Sequence, residues 1–265
     1  MPAKLRLQLL GEPPAHPFQY ANELRALVYV WIGRCQPERA GVFHEANAPK
    51  PYAISPLQSE ADRCWFQVSL LDDRLVGPLT EVAAREEKLL LGRERFALVG
   101  VQVREEMTWE ELLPAEVHPR PRITVRLLTP TAQHAPGPHR KVAVVPSAEN
   151  YFASWLNRWK LCAGAWQCAP FAVDESVLAA VESHVVIASF SGGTEVVRNL
   201  DPNRHFVGFV GEVNFEVLKP HTLSHGLCAS LEALAHLGSY SGTGVETMRG
   251  MGQTQVRIEE KPGRG

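Results

Sequence analysis

The chain lacks the features that would place it in several common classes of protein. No uninterrupted apolar run approaches the length needed to span a bilayer, and the N-terminus alternates polar and apolar residues where a secretory signal would carry an apolar core. The five cysteines are odd in number and form no Cys-x-x-Cys pair, which fits reduced thiols better than a disulfide framework. With 45% hydrophobic residues in a chain of 265, we expect a soluble, cytoplasmic protein with one large or two small domains.

A strong charge of either sign is also missing. The formal net charge is −2 at pH 7, so there is no global basic field to attract nucleic acid, and any polyanion must bind at local clusters of cations. A metal centre is not indicated either. His221, His225 and Cys228 would share a helix face, yet no fourth ligand stands out and the spacing matches no structural zinc site well. We expect no metal and no other cofactor.

The most informative stretch is the glycine loop, residues 242–252, in which two Gly-x-Gly pairs are separated by five residues. It follows a helical pattern and precedes a strand-like one, the reverse of the order in a dinucleotide-binding fingerprint, and it lacks the Gly-Lys-Ser/Thr ending of a P-loop. Glycine reaches positive φ and lets a polyanion approach backbone N–H groups closely, and Arg249 offers a positive charge. These residues alone leave two interpretations open, a phosphate cradle and a plain glycine-rich turn.

Hydrophobic periodicity predicts the element order β-α-β-β-α-β in each half of the chain. In the first half, strands are predicted at 4–10, 52–57, 64–71 and 95–103, with helices at 20–33, stopped by Gly33, and at 78–90. In the second half, strands are predicted at 122–128, 185–198, 205–217 and 253–258, with helices at 147–161 and 223–237. The repeated order predicts an α+β fold of two tandem ferredoxin-like, or RRM-like, domains. We place them at residues 1–116 and 117–265, with the boundary in the proline-containing stretch 113–121.

Taken together, these residues resemble the CRISPR precursor-RNA processing endoribonucleases of the RAMP superfamily. Members of that family have two tandem ferredoxin-like domains and a C-terminal loop of pattern Gly-h-Gly-x5-Gly-h-Gly, where h is hydrophobic. Gly242, Gly244, Gly250 and Gly252 match the spacing in full, with the weakly apolar Thr243 at the first h position. Other pieces fit in the same order, so that the resemblance covers nearly the whole chain: Leu24-Arg25 leading to Tyr29, the segment from Lys50 to Leu57, Leu127 to Thr131, and Trp155-Leu156-Asn157-Arg158-Trp159.

The resemblance directs attention to Tyr29, His44 and Lys50, since members of the family use such residues in this region. Cleaving RNA without a metal requires removing a proton from a ribose 2′-OH, protonating the departing 5′-oxygen and neutralising charge on the phosphorane. We assign His44 as the principal acid/base group because imidazole titrates nearest neutral pH. Simpler interpretations stay open for each residue: a surface histidine, a core tyrosine and a solvated loop lysine.

For RNA binding, we expect the backbone of the glycine loop to act with cationic side chains. These are Arg249 within the loop and Arg198 and Arg204, which flank a turn predicted at residues 201–203. The resemblance implies cleavage of CRISPR repeat RNA by 2′-OH attack, leaving a 2′,3′-cyclic phosphate and a 5′-OH. The alternative is a non-catalytic RAMP subunit that holds guide RNA in an effector complex. CRISPR repeat RNA is therefore the expected partner, with effector-complex subunits and a second copy of the chain as further candidates and no membrane.

Overall fold

A computed structural model of the protein describes residues 1–37, 50–60, 63–134, 142–201 and 204–261, with the side chains of Asn199, Asp201 and Arg204 left out. Within these ranges the chain forms two larger antiparallel sheets, one from residues before 107 and one from residues after 120. No described helix is long and apolar enough to cross a membrane. The predicted domain bounds of 1–116 and 117–265 stay a prediction, although the two sheets divide the chain in the same region.

The first unit is built around its first strand. Its elements are β1 (Ala3–Leu10), α1 (Ala21–Cys35), β2 (Tyr52–Ile54), β3 (Gln58–Glu60), β4 (Arg63–Leu70), α2 (Val76–Ala84), β5 (Lys88–Leu91) and β6 (Glu94–Glu106). The sheet has the order β2-β4-β1-β6-β5, with β3 beside β4. Leu5, Leu7 and Leu9 are fully buried because alternate residues of a strand point to the same face of the sheet. The strand predicted at residues 4–10 is therefore confirmed.

The second unit repeats this arrangement. Its elements are α3 (Trp109–Leu112), β7 (Pro121–Thr131), β8 (Gln133–His134), β9 (Val142–Ala143), α4 (Ala148–Ala163), α5 (Val177–His184), β10 (Val185–Asp201), β11 (Arg204–Val217), α6 (His225–Ser241) and β12 (Thr254–Glu260). The main sheet has the order β10-β11-β7-β12. In the first unit β1 lies between β4 and β6, and in the second β7 lies between β11 and β12. The first strand of each unit is therefore central and pairs with the last long strand, as in a ferredoxin-like fold. The protein is an α+β chain of two tandem ferredoxin-like units.

The structure corrects several predicted elements. The helix predicted at 78–90 ends at Ala84, because Lys88–Leu91 pairs with β6 and buries Leu89 and Leu91 in a strand's alternating pattern. Gly33 does not stop α1, which runs on to Cys35. Helices α3 and α5 were not predicted. A capping box formed by Thr108 and Glu111 starts α3, and α5 is a short helix whose apolar residues bury against the second unit.

The hairpin of β10 and β11 extends from the second unit and packs against the first. Near its middle, Gly192 and Gly211 face each other with φ of +143° and +146°, and a Cβ on either would lie 2.1 Å from an opposing carbonyl oxygen. Beyond these glycines, Val197 and Leu200 join a small apolar cluster with Ala21 of α1. The Asn22 side chain also donates to the Leu200 carbonyl oxygen at 3.3 Å. The far end of the hairpin is therefore held at the start of α1.

Candidate functional site

The glycine loop connects α6 to β12, and its backbone conformation favours glycine at four positions. Gly242, Gly244, Gly250 and Gly252 have φ of +68°, +85°, +91° and +67°. A Cβ at Gly244 would lie 2.1 Å from the carbonyl oxygen of Ala132, and one at Gly252 would lie 2.0 Å from that of Thr243. Any side chain at these two positions would therefore collide with main chain. The spacing follows from how the loop packs within the protein.

Many N–H groups of the loop already donate inside the protein. Those of Thr243, Val245 and Gly252 bond to carbonyl oxygens at 2.9, 2.9 and 3.1 Å. The N–H of Gly244 donates to Ser154 Oγ at 3.3 Å. These groups are engaged and cannot also bind a phosphate. A role of the loop in RNA binding therefore depends on its other positions and on its side chains.

Helix α4 holds the loop through its side chains. The indole N–H of Trp155 donates to Thr243 Oγ1 at 3.0 Å, and Arg158 Nη2 donates to Thr247 Oγ1 at 2.8 Å. Thr243 is fully buried. Its hydroxyl accepts the bond of a buried indole, which a purely apolar residue could not do. This contact accounts for threonine at a position where the resembled pattern has a hydrophobic residue.

The loop also contacts the first unit, in segment 50–57. A Cβ at Gly250 would lie 2.9 Å from the backbone nitrogen of Pro56. The Gln253 side chain donates to the Ile54 carbonyl oxygen at 3.0 Å, and Arg158 Nη1 donates to the Lys50 carbonyl oxygen at 3.4 Å. The glycine loop therefore lies at the junction of the two units, against the segment that carries Lys50.

The predicted catalytic residues differ in what the structure says of them. His44 lies outside the described residues. Lys50 is only 5% exposed, so it is not a solvated loop charge. Tyr29 is half-buried on α1 and packs against the hydrophobic core. Both Tyr29 and Lys50 make interactions of their own within the protein. A catalytic role for these three residues stays a prediction.

Two further polar side chains lie near Tyr29. Burial raises the pKa of the Tyr52 phenol to about 12, with Arg25 acting in the opposite direction and Tyr29 in the same one. Arg25 and Tyr29 are four residues apart on α1, and side chains at that spacing share one face of a helix. Arg25 therefore brings a positive charge to the face that carries Tyr29. Arg25 was not predicted as a site residue, although its spacing from Tyr29 is a signal visible in the sequence.

The predicted RNA-binding arginines divide between the loop and the hairpin. Arg249 is paired with Glu246 at 3.4 Å, and its buried Nε has no hydrogen-bond partner among the described residues. Arg198 is exposed on the hairpin, while of Arg204 only the backbone is described. The apolar cluster that holds the hairpin includes Met251 of the glycine loop. The fold thus brings the hairpin and the loop together, although they are far apart in sequence.

In the described ranges, no three His, Cys, Asp or Glu side chains are grouped to hold a metal ion.

Known proteins share both sequence and fold with this chain. Residues 125–254 match the family described as CRISPR-associated endoribonuclease Cas6. No curated protein matches the chain significantly by sequence. Thermus thermophilus Cas6 is 24% identical, with a TM-score of 0.70 over 97% of this chain and 98% of that one. In a product complex of the same protein the TM-score is 0.80, at 24% identity over 97% and 100% of the two chains.

More distant structures have the same fold. A protein described as Cas6-related, from Pyrococcus furiosus, is 12% identical with a TM-score of 0.61, covering 97% of this chain and 99% of that chain. A RAMP protein described as binding different RNA substrates is 11% identical with a TM-score of 0.62, covering 96% and 99%. Residues 125–254 are thus similar in sequence to the Cas6 endoribonuclease family, and nearly the whole chain shares the fold of these Cas6 and RAMP structures.

Proposed function

We propose that this protein cleaves CRISPR repeat RNA to give guide RNAs, without a metal ion, through attack of a ribose 2′-OH on the adjacent phosphate. The products carry a 2′,3′-cyclic phosphate and a 5′-OH. The observation that carries the proposal is the position of Lys50, a buried cation in the segment against which the glycine loop packs. A site at this junction draws its chemistry from the first unit and its RNA contacts from the second.

In this mechanism His44 removes the proton from the 2′-OH and returns a proton to the departing 5′-oxygen. An imidazole suits both steps because its ordinary pKa lies near neutral pH. Lys50 and Arg25 supply positive charge against the charge that develops on the phosphorane, and Tyr29 assists in proton transfer. Positive charge counts for more in a half-buried site than in water, since the effective dielectric constant is lower there.

RNA binding in this proposal uses the outer parts of the second unit. Arg198 and Arg204 lie on the hairpin, and Arg249 lies on the glycine loop that the far end of the hairpin contacts. Arginines in such positions neutralise phosphates along an RNA strand or stem, which makes the affinity dependent on salt. Effector-complex subunits and a second copy of the chain are proposed as further partners of the RNA-bound protein. Size-exclusion chromatography with light scattering, in the presence and absence of RNA, tests the second copy.

The test is to incubate the purified protein with a panel of CRISPR repeat RNAs in EDTA and to map the product ends. We expect cleavage at a single site with a cyclic phosphate on the upstream product. A 2′-deoxy nucleotide at the scissile position should block cleavage and leave binding unchanged, because the proposed nucleophile is then absent. Cleavage of the deoxy substrate, or strict dependence on Mg²⁺, would indicate an activated water and reject the mechanism. RNA that is bound yet left intact would favour the non-catalytic subunit.

A further inference from the structure

Arg158 lies in the interior of the protein and contacts both units. It belongs to α4, and only 5% of its surface is exposed. Its Nη2 donates to Thr247 Oγ1 of the glycine loop at 2.8 Å, and its Nη1 donates to the Lys50 carbonyl oxygen at 3.4 Å. One guanidinium group therefore bonds to the loop of the second unit and to the backbone of the first.

Burying this arginine is unfavourable in itself. Both of its acceptors are neutral oxygens, and it forms no ion pair with any carboxylate of the described chain. Burial lowers the pKa of Arg158 to about 10, which still leaves the group protonated near neutral pH. A buried cation without an anion costs stability relative to an apolar side chain of similar size. Packing alone would be served as well by methionine. What arginine adds is a planar group that donates in two directions.

Two neighbouring residues of α4 also form hydrogen bonds to the glycine loop, but these bonds do not extend to the first unit. Ser154 Oγ accepts from the Gly244 N–H at 3.3 Å, and the Trp155 indole donates to Thr243 at 3.0 Å. Both contacts stay within the second unit. Arg158, one turn further along the helix, extends the same set of contacts to Lys50.

We propose that Arg158 is a positioning residue that couples the glycine loop to the backbone of Lys50. Through Arg158, the glycine loop, which is proposed to contact RNA, and the segment that carries Lys50, a proposed catalytic cation, are held in a fixed relative position. This inference rests on the proposed function as far as cleavage is concerned. The coupling between loop and segment is a separate property and is measurable without RNA.

The experiment compares Arg158→Met and Arg158→Lys with the parent and with Lys160→Met. Lys160 lies on the same helix but is 44% exposed and pairs with Glu175, so this variant controls for the loss of a cation from α4. Single-turnover cleavage at saturating repeat RNA, RNA affinity and thermal unfolding are measured for each. Thr247→Val, alone and combined with Arg158→Met, completes a double-mutant cycle.

We expect Arg158→Met to lower the single-turnover rate at least about tenfold while RNA affinity stays within about threefold and the unfolding temperature is unchanged or higher. Arg158→Lys should recover part of the rate, because an ammonium group keeps the charge and reaches one acceptor. Thr247→Val should slow cleavage less, and its effect should largely disappear in the Arg158→Met background. A rate loss that only follows a loss of stability, an effect confined to affinity, or a parental rate in Arg158→Met would each overturn the proposal.

Amide hydrogen exchange in the absence of RNA separates this inference from the function itself. In Arg158→Met, amide exchange should accelerate at least about tenfold in both the glycine loop and segment 50–57. In Lys160→Met, exchange should stay at the parental rate in both segments. If the parent cleaves no repeat RNA, the proposed function fails while exchange still tests the coupling. Unchanged exchange in Arg158→Met would reject the coupling whatever the RNA assay gives.

Discussion

The two ferredoxin-like units share a strand order but differ in the lengths of the strands that follow their first long helix. In the first unit, β2 and β3 are three residues long and stay beside their own sheet. In the second, β10 and β11 have 17 and 14 residues, and their far end reaches the start of α1. The first unit thus supplies a surface at the start of α1, and the hairpin of the second unit extends onto that surface.

The same difference recurs before the last strand of each unit. The first unit places the short strand β5 there, paired with β6. The second unit places the glycine loop there. The loop contacts Pro56 of the first unit, and Gln253, which follows the loop, bonds to Ile54. A shared topology therefore supports unequal roles. We expect chemistry to depend on residues of the first unit, and RNA contact and alignment to depend on segments of the second.

The largest effect is expected from a substitution that disturbs the junction between the two units. Gly244→Val would force a β-branched residue to a φ of +85° and place its Cβ 2.1 Å from a carbonyl oxygen. We expect a loss of about 3 kcal/mol in the free energy of unfolding, from overpacking and the left-handed backbone together. Urea denaturation measures it. The matched control is Gly193→Val on the hairpin, where a Cβ meets nothing within 4 Å. Equal losses in the two variants would contradict the packing role of the glycine.

Removing the proposed acid/base group tests the chemical side of the comparison. We expect His44→Ala to cut the single-turnover rate by at least about a hundredfold with little change in RNA affinity. The control is His221→Ala, an exposed histidine of the second unit, which should cleave at the parental rate. Unchanged cleavage in His44→Ala would eliminate this residue from the mechanism. A loss confined to affinity would move it to the binding surface.

Charge changes on the loop test the binding side. Arg249→Ala should weaken repeat RNA binding about three- to tenfold and lower the slope of log affinity against log salt by about one, as for the loss of one phosphate contact. Glu246→Gln should have the opposite effect, because the carboxylate that pairs with Arg249 is neutralised. Filter binding between 50 and 200 mM salt, a range chosen for its strong electrostatic response, measures both variants. If neither variant alters the salt slope, Arg249 does not contact phosphate.

A smaller effect distinguishes Tyr52 from Tyr29 in the first unit. The Tyr52 phenol has its pKa raised by burial from an ordinary 10.0 to about 12, so the folded protein keeps a proton that the unfolded chain loses first. Stability should therefore fall as the pH rises from about 10 to 12, and Tyr52→Phe should reduce this fall. Cleavage below pH 9 should be unchanged in Tyr52→Phe, since the phenol stays protonated there. A change in that part of the pH–rate profile would mean that Tyr52 takes part in the chemistry.

Much of the fold could be predicted from local patterns. The burial of Leu5, Leu7 and Leu9 follows from alternation alone, and Ser147 caps α4 as its position before the helix suggests. The prediction failed where a pattern was short. Leu89, Leu90 and Leu91 extend a helical run on paper, but pairing with β6 makes them a strand. Pairing depends on a partner segment, which a local window does not contain.

For the candidate site, the sequence by itself determined the glycine spacing, and with it four of the five loop positions where the backbone takes positive φ, Glu246 being the fifth. It also placed Arg25 and Tyr29 on one face of a helix, since helical spacing is a local property. Only the tertiary structure decided that Lys50 is buried and that Arg158 bonds to its carbonyl oxygen from 108 residues away. Burial and hydrogen bonding are made by segments that meet only when the two units pack together, so no single stretch of the sequence encodes them.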